Sequence, residues 1–554
     1  MTIRRRRLLL PLLFALMGLL VLKGAGTPAF AQGEHADHSA FGSVHFEISC
    51  SPAAQQQFDR AAAMLHSFFY PETDKAFRAI AEREPSCAMA YWGIAISQRP
   101  NPLTAPFSPD QLRQGWENVQ RARASAPPTQ RERDWVDALA PFFQNYDTVN
   151  QQARSLAYEA TMARLHARYP KDSEAAVFYA LSLLEAVDLG DKTYAKQLKA
   201  ADILERIQKA QPQHPGIIHY LIHSYDYAPI AAKGLPSAQR YAALAPSAPH
   251  ALHMPSHIFS TLGMWQDAVR SNLVADASNR EYAASTNPAA AANPSSILAR
   301  YHNLDFLTNA YLQLGKDRAA RSILDERNTI VAVPAGERIT VHTAYAAIPV
   351  RYTFERGAWK EAATLTPMKT PYKQAEAIIW FGRALGAARS GDVAAAKQDL
   401  IQISRLRQEL ATAGDPYWAE QVGFQETAAS GWIALAEKNV PQAIALMRDA
   451  ADREDRTEKH VAMENRLSPM RELLGELLLE AGRPRDALRE FELSLRTMPN
   501  RFRSLAGAGQ AAALTGNRRL ARSYYDRLLS QAAEADGQRV ALSAARAFVA
   551  EAGR

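Results

Sequence analysis

The chain runs to 554 residues, more than one hydrophobic core can organise, so it is either several domains or one extended array. With 47 % hydrophobic and 22 % charged residues it has the composition of a folded protein, which excludes a disordered or low-complexity chain. The formal net charge of +7 is local: the first 31 positions hold five basic residues and no acid, leaving 59 basic against 57 acidic residues, so no clustered surplus remains to track phosphates and no nucleic-acid partner is expected.

In chain order, Arg4 to Arg7 form a positive n-region, Leu8 to Leu22 an apolar run interrupted by Pro11, and Ala29-Phe30-Ala31 a small-x-small cleavage pattern. Residues 1–31 are therefore expected to be a cleaved signal peptide, with the mature chain beginning at Gln32 in a periplasmic or secreted setting. The run of 15 residues falls short of the about 20 needed for a membrane span, and no later stretch is long and apolar enough. Residues 32–48 read as a flexible leader carrying His35 and His38. Cys50 and Cys87 follow on either side of one predicted helical hairpin; in an oxidising compartment they would either staple the N-terminal segment to the first repeat or stand as two buried thiols. Phe68-Phe69-Tyr70 and Tyr91-Trp92 fall at helix-packing positions and are assigned to the core. His66 is assigned there too, or to a cap.

Strand signals are nearly absent throughout. Ala, Leu, Glu, Gln and Arg dominate, and apolar residues recur at three and four, so the chain reads as a succession of short amphipathic helices. Near the C-terminus, Gly475, Gly482, Ala487 and Phe491 recur 34 residues later as Gly509, Gly516, Ala521 and Tyr525. A glycine after the first helix tolerates positive φ, and alanine keeps the second helix close. The same Gly-x4-Ala hinge stands at Gly263/Ala268, Gly315/Ala320, Gly357/Ala362 and Gly391/Ala396. This period and these residue types resemble the tetratricopeptide repeat. The resemblance implies an all-α, right-handed superhelical solenoid, with repeats over 49–281 and 298–554 and a loop insertion at 282–297. It also implies a concave groove lined by the first helix of each pair, where a protein or peptide partner binds.

No GxSxG, HExxH, Walker-type or GxGxxG motif is present, so an enzyme is not the first expectation. Histidines supply the one arrangement with chemical content. His219 and His223 are four apart, His253 and His257 are four apart, and the two pairs are separated by 34 residues. Spacing of four places each pair on one helix face, and one repeat places the pairs on adjacent units. The four imidazoles should form a two-by-two patch. Counting back from Gly315 adds His302, Asp305 and Asn309, with His250 and Asp226 alongside. By resemblance these positions point into the groove. His219, His223, His253, His257 and Asp305 form a ligand set suited to zinc or copper. Asp226, His250, His302 and Asn309 are candidates for contacting a bound ligand. Two other readings stay open: the histidines bind an anionic peptide or small acid, or they are satisfied polar groups between helices. The leading expectation is an exported scaffold that binds a protein, peptide or small ligand; the alternative is a metal-dependent hydrolase or oxidoreductase using the same patch.

Overall fold

The computed structural model describes residues 41–289, 293 and 297–552. The expected signal peptide, the expected leader up to residue 40 with His35 and His38, and residues 290–292 and 294–296 of the expected insertion lie outside the described residues. Among those described, all regular structure is helical, from Pro52–His66 to Val540–Ala552. The helices begin where the sequence supplies caps: Thr129, Asn150 and Asp172 accept the N3 amide, and Ser108 forms a full capping box with Gln111. Proline opens many of them at the first turn, where its missing N–H leaves no bond unmade.

The C-terminal units are helix pairs: Met470–Glu480 with Pro484–Thr497, then Phe502–Leu514 with Arg518–Gln531. Each small residue has its expected use. A Cβ on Gly509 would lie 2.5 Å from the Tyr525 ring, and Gly516 turns the chain at φ +81°. Buried side chains form three consecutive clusters along the sequence, each repeat packing mainly on its neighbours.

Two boundaries differ from the sequence reading. Residues 41–48 are not part of a flexible leader. They lie extended against the first hairpin, with the Phe46 ring 5.3 Å from Phe58 and 4.7 Å from Trp135, and the Phe46 amide donates to Asp59 Oδ1 at 2.8 Å. The apolar alternation Phe41, Val44, Phe46, Ile48 drives this docking, because all four bury their side chains. The insertion likewise begins late, since the helix Trp265–Thr286 runs through its first five residues. Tyr282 holds that extension by packing edge-on against Phe69 at 4.9 Å and donating to Glu72 at 2.8 Å. Cys50 and Cys87 are joined by a disulfide, with their Cα atoms 5.5 Å apart.

The array also closes on itself. Trp265 Nε1 donates to the Asn500 carbonyl at 2.8 Å, Asn500 Nδ2 to the Gly263 carbonyl at 3.2 Å, and the Phe502 amide to Gln313 Oε1 at 2.8 Å. Asp317 pairs with Arg539 in the same contact. Between the helices Val440–Glu454 and Met470–Glu480, residues 455–469 form a non-helical strap across the interior. Its Glu458 amide donates to the Leu189 carbonyl at 2.8 Å, and its Glu464 accepts from Asn309 Nδ2 at 3.0 Å. Under this cover, Pro215–Tyr225 and Ile339–Glu355 are buried on every face, as an interior helix must be.

Candidate metal centre

His214 caps the helix Pro215–Tyr225 by accepting the Ile217 amide at 3.3 Å, which fixes where that helix starts and so which face His219 and His223 occupy. One repeat later, Pro255 divides the corresponding helix into Pro249–His253 and Pro255–Thr261, yet His253 and His257 stay one turn apart. Three of the expected approaches are seen. His219 and His223 rings lie 4.9 Å apart, His253 and His257 rings 5.0 Å apart, and His223 faces His257 across the repeat boundary at 5.8 Å.

Outer hydrogen bonds determine which nitrogens carry protons. His219 Nδ1–H donates to the His66 carbonyl at 2.7 Å, an acceptor that admits no other polarity. His257 Nδ1–H donates to Asp226 Oδ2 at 2.8 Å. For His253 the partner is Asn272 Oδ1 at 2.7 Å; Asn272 spends its Nδ2 donor on the Ala268 carbonyl, so its oxygen faces the ring. Each of these three imidazoles therefore turns an Nε2 lone pair inward. His253 and His257 Nε2 stand 3.2 Å apart, and His219 and His223 Nε2 3.1 Å apart. Between His253 and His257 no neutral tautomer supplies a proton.

Protonation does not relieve that contact. Burial pushes His219 down to about 3 and His253 to about 4, despite hydrogen bonds that act the other way. Burial first and neighbouring histidines next hold His223, His250 and His257 well below the ordinary imidazole value, and His302 likewise. The Lys459 ammonium of the strap shares Asp226 Oδ2 at 2.6 Å, offsetting the carboxylate that would otherwise favour a charged His257. Six neutral imidazoles, three of them with an Nε2 lone pair fixed inward, can accept a cation directly.

His250 and His302 complete the arrangement. His250 Nε2 and His302 Nδ1 are buried without a hydrogen-bond partner. Potential ligand atoms of His219, His223 and His250 lie within 4.8 Å of one another, and so do those of His253, His257 and His302. Asp305 and Asn309 are not brought into this set. Asp305 pairs with Arg351 at 2.8 Å, and Asn309 hydrogen-bonds Glu464 and Gln313, because the strap and the buried arginine claim both polar side chains. Asp226 acts one bond away, orienting His257 while accepting Thr261 Oγ1 at 3.0 Å.

A third group, His66, Glu174 and His214, is close enough to hold a metal but is already satisfied. Glu174 joins both rings, at 2.9 and 2.8 Å, while His66 Nδ1 meets Tyr220 at 2.9 Å. His66 is thus a core residue. Sequence reasoning missed Phe68, Phe306, Asn272 and Lys459. The Phe68 ring lies 4.4 Å from His219 and 5.4 Å from His250, and the Phe306 ring 4.7 Å from both His253 and His257. Phe68 holds φ +55°, unusual for a bulky residue and found mainly where surroundings enforce it. Phe68 carries no signal beyond apolarity, whereas the polar run Thr457-Glu458-Lys459-His460 between two helices marks a non-repeat segment.

No family model matches the chain, and no curated protein matches it. Among solved structures, the human IFIT1 dimer with m7Gppp-AAAA is similar at TM-score 0.37 and 12 % identity, covering 88 % of this chain and 92 % of that one. The APC/C hetero-tetramer Cut9-Hcn1 is similar at TM-score 0.32 and 10 % identity, covering 90 % of each chain. Likeness at this level adds no argument about the site.

Proposed function

We propose that the protein is an exported helical-repeat scaffold that holds a transition-metal ion, zinc or copper, in its interior. The observation that carries this reading is the His253–His257 contact. Two Nε2 atoms at 3.2 Å, each on a ring whose other nitrogen is committed as a donor, place lone pair against lone pair. In a buried site such a contact is unfavourable unless a cation lies beside it. The separation is also close to the about 3.3 Å edge of a tetrahedron with Zn–N bonds of about 2.0–2.1 Å. Asn272, Asp226 and the His66 carbonyl are the kind of outer partners that fix ligand histidines in metal sites.

The Cys50–Cys87 disulfide supports an oxidising compartment and hence export as periplasmic or secreted protein. A scaffold is favoured over a hydrolase or oxidoreductase because His219, His223, His253 and His257 are all buried, away from where a substrate would arrive. Since residues 455–469 fill this part of the groove, a protein or peptide partner is assigned to the remaining helical surface. The near-neutral mature charge supports a partner other than nucleic acid.

The test is thermal unfolding of chelator-treated protein with and without added Zn²⁺ or Cu⁺. Binding to the native state raises the melting temperature by mass action. The double change His253→Ala with His257→Ala should abolish the rise while leaving the helical circular dichroism of the apo protein intact. An equal rise in that variant would assign the metal elsewhere.

A further inference from the structure

The six histidines are not one patch but two equivalent halves, related by one repeat. The first half is His219, His223 and His250, under Phe68; the second is His253, His257 and His302, under Phe306. Each half has a closely facing nitrogen pair, at 3.1 and 3.2 Å, supplied by histidines four apart on one helical face. Each also has a third histidine with a buried nitrogen that makes no hydrogen bond, Nε2 of His250 and Nδ1 of His302. Phe68 and Phe306 back the two halves with hydrocarbon rings that offer no ligand. A trigonal ion with bonds of about 2.0 Å separates its donors by about 3.5 Å, so each third imidazole need close by only about an ångström from the present limit of 4.8 Å.

Resting on the proposed metal-binding function, we infer that the interior holds two ions, each bound by three imidazoles, and that the pair is built for copper in its monovalent state. Charge balance selects the ion. All six ligands are neutral, and the nearest carboxylate, Asp226, is already matched by Lys459 at 2.6 Å. Two divalent ions would bring four uncompensated charges into a largely buried site, while two Cu⁺ ions bring half as many. Three nitrogen donors, with no fourth His, Cys, Asp or Glu grouped with them among the described residues, suit Cu⁺, which accepts three-coordination, better than structural Zn²⁺, which takes four ligands. The two halves lie side by side, with His223 and His257 rings 5.8 Å apart and His250 and His253 rings 6.1 Å apart, so the ions would be neighbours rather than remote sites.

Stoichiometry decides the matter. Full-length mature protein is loaded anaerobically with Cu⁺ or, separately, with Zn²⁺, freed of excess ion by gel filtration, and analysed for metal per chain. Two Cu⁺ per chain are expected, falling to one in His250→Ala and to one in His302→Ala, and to none in the double variant. Circular dichroism and gel-filtration volume identify any variant that fails to fold. Because His250 and His302 are less buried than the four pair histidines, His250→Asn and His302→Asn serve as second variants. One ion per chain, lost equally in either variant, would overturn the two-ion inference and leave the metal-binding proposal standing. No ion under either condition would defeat both. Two Zn²⁺ retained more tightly than Cu⁺ in direct competition would overturn the monovalent assignment.

Discussion

Replacing Arg351 by Met should loosen the strap and destabilise the interior together. The Arg351 guanidinium is fully buried and donates to Asp305 Oδ1 at 2.8 Å, to the Asn465 carbonyl at 3.1 Å and to the Arg466 carbonyl at 3.3 Å, while pairing with Glu464 at 3.3 Å. Removing it strands two buried carboxylates and two strap carbonyls, and breaking a buried pair from one side costs about 3–5 kcal/mol. For an array of this length melting as one unit, an unfolding entropy of about 2.1 cal/mol/K per residue converts that into a fall of about 3–5 °C. The loss should depend on pH with a definite sign. Burial already holds Asp305 and Glu464 above their ordinary values, with Arg351 as the main opposing influence. Without it both rise further, so the folded variant binds protons more strongly than its unfolded chain. Its stability therefore increases as pH falls toward those raised values, and the deficit narrows between pH 8 and pH 5. Calorimetry at both pH values and trypsin cleavage after Lys459 and Arg466 provide the measurements. A variant that melts within a degree of the parent and shows no faster strap cleavage would refute the role given to Arg351.

Reducing the Cys50–Cys87 bridge, which closes 37 residues of sequence, should lower stability by about 4 kcal/mol on the chain-entropy account, read as a reductant-dependent melting shift. Gly509→Ala should destabilise more than Gly516→Ala, although alanine is the better helix former. The first meets the Tyr525 ring at 2.5 Å, with overpacking worth about 1–3 kcal/mol, while the second meets open space and costs only about 1–2 kcal/mol of left-handed strain. N-terminal mass analysis of protein recovered from its own cells should find a chain beginning at Gln32; retention of Arg4 to Arg7 would contradict export by cleavage.

The repeat architecture was legible because it is local. Gly509 under Tyr525 and Gly516 after its helix are determined by residues within one 34-residue period, so spacing alone predicts them. The pairing of His219 with His223, of His253 with His257 and of His223 with His257 was legible for the same reason: helical pitch and repeat length fix which rings meet. What spacing cannot show is how distant segments return. Asp305 is positioned by the same register that places His253 correctly, yet Arg351 and the strap take it away from the histidines. Lys459 stands in a polar run that marks a non-repeat segment, but nothing in that run points to Asp226, more than 230 residues away. Phe46 shows the converse case, since a short apolar alternation beside a polar tail reads as a leader until a pocket of Phe58, Trp92 and Trp135 receives it.

The strap and the proposed metal centre share the Asp226 Oδ2 atom, and that contact gives a prediction opposite to ordinary loss of an ion pair. Asp226 Oδ2 accepts both His257 Nδ1–H at 2.8 Å and the Lys459 ammonium at 2.6 Å. A carboxylate on the far side of a ligand histidine raises the basicity of its Nε2, and altering such an outer partner commonly changes metal affinity by about 10–100-fold. Lys459 draws charge away from that carboxylate and places a cation beside the site. Both effects oppose a metal ion. Lys459→Met should therefore weaken the apo protein, because a buried carboxylate loses its counter-charge, and should tighten metal binding by roughly tenfold. The metal-induced rise in melting temperature should accordingly exceed that of the parent, even though the apo variant starts lower. Competition against a chelator of known affinity measures the binding half of the claim, and calorimetry measures the other. Unchanged or weaker metal affinity in Lys459→Met would show that the strap lies against the histidines without being coupled to what they hold.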